Sequence, residues 1–268
     1  MRPPSRRIAA VQPHKPEFLK TRFLAAPPLN DGGPLERIAY LDTPGESPTI
    51  VWCGGLMSDM RGTKAGAFHD VAARQGHAFV RFDYLGHGES TGEFVQGTIG
   101  RWARDTLQVI DEVTDGPLIL IGSSMGGWTS LLAARARPGR VKGLLLINPA
   151  PDFTETMWAG WSDDQKREIQ DDGITYVPSD YGAPYPYTWA LIEDGRANLL
   201  MDGDLGVDVP VHIFSGENDE VVPTAHCRRL AEALPSAALT VVEGGDHSLS
   251  RPEDIALMAR TLGDLVRA

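Results

Sequence analysis

Positive charge is what this chain is short of. Asp and Glu outnumber Lys and Arg by 36 to 25, which leaves a net charge of −11. Proteins that grip a phosphate backbone do so with clustered Lys and Arg, so no nucleic-acid partner is expected. Long apolar runs are missing as well. None approaches the roughly 20 residues that a bilayer-spanning helix needs, so no membrane span is expected. Cysteine is scarce: Cys53 and Cys227 form no spaced pattern and read as reduced, mostly buried thiols. The seven histidines make no metal-ligand cluster, so neither a metal nor a cofactor is implied. The first residues, "MRPPSRRIAAVQPHKPEF", hold no acid before Glu17 and no apolar core of a secretory signal. They read as the start of a Pro-rich, partly disordered leader spanning 1–34.

What is present alternates. Short apolar runs at 48–55, 77–84, 117–122, 141–148, 209–216 and 238–245 read as buried strands. Between and after them, 63–76, 98–116, 125–139, 224–235 and 252–268 carry helical spacing, with Trp102, Leu107, Ile110 and Val113 near one face of the second helix. Strands alternating with helices predict an α/β fold, a mostly parallel central sheet covered on both faces. Residues 35–43, "LERIAYLDT", are expected to add an antiparallel edge hairpin.

One segment breaks this rhythm. Residues 150–206 hold Phe153, Trp158, Trp161, Tyr176, Tyr181, Tyr185, Tyr187 and Trp189, eight of the 20 aromatics, interleaved with prolines and acids. An insertion at the carboxyl side of a parallel sheet lies where such folds bind ligands. It is expected to be a lid inserted after the sixth strand, dividing a core of 35–149 and 207–268. Trp158, Trp161 and Trp189 are its candidate substrate-pocket residues; the bland alternative is a small aromatic core of its own.

The chemistry concentrates in "LILIGSSMGGWTS" (118–130), where a buried strand must turn into a helix within two or three residues. Gly122, Ser124 and Gly126 match G-x-S-x-G, the elbow that exposes a nucleophile at a strained strand-to-helix turn. Ser124 would project from the apex at a helix N-terminus, where free amides and the dipole favour negative charge. The Met125 N–H then faces a developing oxyanion. The glycine-rich turn "CGGLM" (53–57) supplies a second donor, the Leu56 N–H. Ser123 falls one residue short of the apex and reads as a structural hydroxyl.

A serine hydroxyl needs a base within reach. The order expected on this scaffold is Ser, acid, His, and each of the last two parallel strands should end in one partner. Asp219 follows "VHIFSG" and His247 follows "LTVVEGG". Glu217 and Glu220 read as solvated loop acids, Asp246 as a brace for its loop, and Cys53 as a packing thiol. His87, in "GHGES", stands in the wrong chain order for the base and reads as a packing residue.

Residues 35–268, so assembled, resemble the α/β-hydrolase superfamily. "GGLMSDMRGTKA" (54–65), "GHAFVRFDYLGHGEST" (76–91), "GPLILIGSSMGGW" (116–128) and "SGENDEVVP" (215–223) are similar to the mitochondrial palmitoyl-protein thioesterase group, whose members also hydrolyse acyl glucuronides, including that of mycophenolic acid. The resemblance implies the α/β-hydrolase fold, a triad of Ser124, Asp219 and His247, and oxyanion donors at Leu56 and Met125. It departs at Gly54, where the family usually carries proline, and in the lid.

The expectation is a serine hydrolase acting on esters or thioesters with an apolar acyl or aryl group, on a small molecule or an acylated protein. A carbon–carbon bond hydrolase with the same triad is the alternative, followed by a non-catalytic ligand-binding relative. The short leader suggests a cytoplasmic protein, with the mitochondrial matrix as the alternative. Oligomeric state stays open.

Overall fold

The computed structural model describes residues 19–28, 33–178 and 184–267. In chain order they form β1 (Arg22–Ala26), β2 (Glu36–Thr43), β3 (Glu46–Cys53), α1 (Thr63–Gln75), β4 (His77–Phe82), α2 (Ile99–Val113), β5 (Leu118–Ser123), α3 (Met125–Ala136) and β6 (Val141–Ile147). Then follow α4 (Phe153–Gly160), α5 (Asp163–Asp172), β7 (Ile174–Val177), β8 (Tyr185–Thr188), α6 (Trp189–Ala197), β9 (Val211–Gly216), α7 (Thr224–Ala233), β10 (Ala237–Val242) and α8 (Pro252–Arg267).

Eight strands make one sheet in the order β1-β2-β4-β3-β5-β6-β9-β10. The β1–β2 and β2–β4 pairs are antiparallel, and every pair from β4–β3 to β9–β10 is parallel. In β5 every residue is buried, as a central strand sandwiched between helices must be. Its side chains alternate with the pleat. Leu118 and Leu120 join Trp102 of α2 and Trp128 of α3 in one core. Ile119 and Ile121 join Phe68 of α1 and Met258 and Leu262 of α8 in the other. Each such fully buried side chain contributes about 1.5–3 kcal/mol relative to exposure. Because β3, β5, β9 and β10 run parallel, their carboxyl ends open on one edge of the sheet, and the loops that follow them meet there.

Two elements differ from the sequence reading, and a third stretch gains detail. First, β2 is antiparallel as expected but is not the edge. Residues 22–26, inside the segment read as leader, pair with it along Arg22↔Tyr40 to Ala26↔Glu36 and form the outermost strand. Residues 1–18 and 29–32 of that leader lie outside the described residues. Second, the face that α2 buries includes Ile99, Trp102, Thr106, Val109 and Ile110, while Leu107 and Val113 are only partly covered. Its buried side also holds an ion pair, Arg101 Nε to Asp105 Oδ1 at 3.0 Å. That pair is completed by bonds that satisfy its remaining polar atoms: Arg101 Nη2 donates to the Pro27 carbonyl and Asp105 Oδ2 accepts the Leu85 N–H. Third, the segment between β6 and β9, expected as a lid or as a small aromatic core of its own, has regular structure. It folds as α4, α5, the antiparallel pair β7–β8 and α6, and its strands form a separate two-stranded sheet. No helix among the described residues is long and apolar enough to cross a membrane.

Candidate active site

The strand-to-helix turn after β5 is as tight as its glycines suggest. Ser124 adopts φ 53° and ψ −118°, and α3 begins at the next residue. A Cβ on Gly126 would lie 2.1 Å from the Cys53 carbonyl oxygen, and one on Gly122 would lie 2.5 Å from the Gly126 oxygen. Only hydrogen fits at either position, so β3, β5 and α3 close on one another and the strained residue is driven outward. The turn is tied down by its own backbone: the Ser124 N–H donates to the Ile147 carbonyl at 2.9 Å, and the Ser124 carbonyl accepts from Gly127 and Ala150.

His247 stands opposite. Its Nε2 lies 3.2 Å from Ser124 Oγ, and its Nδ1 lies 2.8 Å from Asp219 Oδ2. With the ring proton on Nδ1, the imidazole donates to the carboxylate and presents a lone pair to the hydroxyl. The Asp219 side chain has no exposed surface. Its other oxygen, Oδ1, accepts the N–H groups of Val221 and Val222, each at 2.8 Å, so the buried charge is fully solvated by protein. The structure thus brings together the three side chains singled out in the sequence, across 123 positions of chain.

The two candidate oxyanion donors lie in the two turns beside Ser124. The Met125 N–H is the first of α3 and the Leu56 N–H lies in the turn after β3; neither donates a hydrogen bond among the described residues. That turn rests against Ser124, since a Cβ on Gly55 would sit 3.4 Å from the Ser124 Cβ. The Ser58 hydroxyl closes the turn by donating to the Gly55 carbonyl at 2.7 Å.

Three residues that were not site candidates in the sequence hold this arrangement. His87 is buried under Tyr84, Phe94 and Trp102, and its Nε2 accepts the Met57 N–H at 3.1 Å. Burial lowers its pKa to about 4, so the ring stays neutral and keeps that lone pair. Asn148, at the end of β6, donates from Nδ2 to the carbonyls of Asp246 and His247 and accepts the Gly216 N–H on Oδ1. Its amide therefore stitches the loop of the base to the end of β9. Its only sequence signal is a polar side chain closing the run "LLLIN". Lys64, at the start of α1, donates from Nζ to the Ser248 carbonyl. The expected brace is present too: Asp246 Oδ1 accepts the Leu249 N–H at 2.9 Å. Burial raises the Cys53 thiol to about 12, which leaves it an inert packing group.

A cavity of about 320 Å³ opens beside the serine, lined by Trp52, Leu56, Lys64, Ser124, His247 and Ser250 among others. The three tryptophans of the insertion do not line it. Trp158 lies 6.1 Å from Trp161 and 5.5 Å from Trp189, and Trp161 is buried against Tyr187. Arg196 caps Trp158 and Trp189. They form an aromatic cluster of the insertion, which docks on the nucleophile's helix through Phe153 against Trp128, 5.6 Å between rings. Tyr181 lies outside the described residues. A larger hollow of about 610 Å³, lined by Pro27, Arg101, Arg104 and Glu112 among others, shares no residue with the site.

The model of the alpha/beta hydrolase family matches residues 50–257, a span that holds the elbow, the acid and the base. The chain belongs to the alpha/beta hydrolase family. Within it, the mitochondrial palmitoyl-protein thioesterase ABHD10 of Pongo abelii is 35% identical over 236 residues, 87% of this chain and 77% of the relative. A solved structure from Agrobacterium vitis S4 superposes with a TM-score of 0.88 at 39% identity, covering 92% of this chain and 99% of that one. The mouse alpha/beta hydrolase domain-containing protein 10 follows at 0.84 and 34%, covering 92% and 98%. These likenesses support hydrolysis of esters or thioesters in general.

Proposed function

We propose that this alpha/beta hydrolase cleaves carboxylic esters or thioesters through an acyl-enzyme formed on Ser124. The observation that carries the reading is the hydrogen-bonded chain from the Ser124 hydroxyl through His247 to the buried Asp219 carboxylate. His247 Nε2 takes the hydroxyl proton while Oγ bonds to the substrate carbonyl carbon. The carbonyl electron pair moves onto oxygen, where the Leu56 and Met125 N–H groups receive it. The imidazolium, paired with Asp219, then gives its proton to the departing alcohol or thiol as the carbonyl reforms. Water enters, loses a proton to Nε2, and releases the acid, restoring the serine. The two amides act where charge develops, the most effective place for a donor.

An apolar acyl or aryl group is the substrate this reading expects, and the insertion, docked on α3 through Phe153 against Trp128, would serve as a lid. An acyl thioester is the first substrate to try, given the name of the ABHD10 relatives. Their mitochondrial names support an organelle setting over the cytoplasmic one.

A fluorophosphonate probe is expected to label Ser124. The Ser124→Ala variant should lose labelling and about 10⁵- to 10⁶-fold of turnover on p-nitrophenyl esters. Retention of wild-type turnover by that variant would remove Ser124 as the nucleophile. A paired series of esters and thioesters from acetyl to palmitoyl then ranks acyl length and leaving atom.

A further inference from the structure

The acyl-transfer steps do not use the charge of Lys64, which stands in the wall of the cavity beside the serine. The placement is costly in two ways. Lys64 is the second residue of α1, where unpaired amides already concentrate positive charge and no acid of the first turn offsets it. Its ammonium is also largely desolvated, which lowers its pKa to about 8. Among the described residues no carboxylate lies within ion-pair distance of Nζ. What Nζ does reach is the carbonyl of Ser248, 184 residues away and directly after the base. Asn148 holds the same loop from the other side through the Asp246 and His247 carbonyls. The charged and titratable groups around Nζ are Asp219 and Asp246, whose fields support the ammonium, and Asp59 and His247, which share its cavity wall.

We infer that Lys64 is a positioning residue for His247: it clamps the loop at the Ser248 carbonyl so that Nε2 stays in reach of Ser124. The inference rests on the acyl-transfer reading and names what positions its base. The ammonium is charged below about pH 8, so the clamp is a charge-assisted hydrogen bond across the neutral range.

The test is the proton NMR signal of the His247 ring at one pH in the wild type, Lys64→Met and Lys64→Arg, with His247→Gln used to assign the signal. It is run beside steady-state kinetics on p-nitrophenyl acetate. In Lys64→Met the ring signal should move as the loop shifts. Its kcat should fall roughly 10- to 100-fold, the scale of a displaced catalytic group, with little change in KM for this neutral ester. Lys64→Arg should restore the signal and most of the rate. An unmoved ring signal in Lys64→Met overturns the inference. So does a defect confined to KM for esters bearing an anionic group, which would make Lys64 a substrate anchor. Because the ring signal is read on the resting protein, it decides the point even if the esters chosen are not hydrolysed, a result that would count against the acyl-transfer reading alone.

Discussion

Two glycine-rich turns face each other across the site, and they are held in opposite ways. The turn at 122–126 is fixed by contact of backbone on backbone: glycines at its ends allow β3, β5 and α3 to close, and strain at Ser124 follows from that closure. The turn at 53–58 is fixed by side chains reaching in from elsewhere. His87 takes the Met57 N–H, Asp83 takes the Met60 N–H at 2.6 Å, and Ser58 closes the loop on itself. One turn is a consequence of how the fold packs, and the other is an accessory that the fold must brace. Mutations should therefore separate them. Damage to the first should reach stability and activity together, whereas damage to the second should reach the rate and leave the fold standing.

Gly126→Ala should have the larger effect. Its new Cβ would meet the Cys53 and Gly54 carbonyl oxygens at 2.1 and 2.4 Å, and neither belongs to a flexible side chain. Overpacking a tight core costs about 1–3 kcal/mol and sometimes more, so a drop in urea midpoint and loss of fluorophosphonate labelling are expected together. His87→Phe should be milder and cleaner. The ring volume is kept among Tyr84, Phe94 and Trp102, but the acceptor for the Met57 N–H is gone. We expect kcat to fall about tenfold, less than the 10²–10³ that outright loss of an oxyanion donor costs, with KM and the melting temperature near wild type at pH 8. A His87→Phe protein with wild-type kcat would show that the oxyanion turn needs no brace.

The smallest effect is one of pH. His87 titrates near 4 in the folded protein, against an ordinary histidine value of 6.5. Between those values the unfolded chain binds the extra proton and the native state does not, so this group's contribution favours folding above about pH 6.5 and is lost as pH falls towards 4. At most about 3 kcal/mol of acid sensitivity follows from such a gap. Chemical denaturation at pH 7 and pH 4.5 should show a shallower loss for His87→Phe than for the wild type. Parallel losses in the two proteins would mean that His87 does not carry this sensitivity.

How much of this could be read beforehand depends on how local each cause is. The elbow was legible because strand, glycine, serine, glycine and helix are consecutive, and the chain order of acid and base narrowed the remaining choices to Asp219 and His247. The parallel core was legible because Leu118–Ile121 is apolar at every position. The bracing was not. Asn148 spans 68 residues to Gly216, and Lys64 spans 184 to Ser248. Each looks like an ordinary polar residue at the end or start of an element until the sheet is assembled. His87 could be ruled out as the base by order, yet nothing in "GHGES" announces an acceptor for a distant amide. The buried Arg101–Asp105 pair misleads in the same way, because a charged i,i+4 couple normally marks a solvated helix face.

The pairing of Arg22–Ala26 with β2 bears on where the gene may be shortened. Cutting at position 34, where the proline-rich composition invites it, would strip the outermost ribbon and bare the amides and carbonyls of Glu36–Tyr40. Such an open flank is a template for a neighbouring chain. A clone begun there would be prone to self-association with Ser124, Asp219 and His247 untouched, and poor yield would wrongly be blamed on the chemistry.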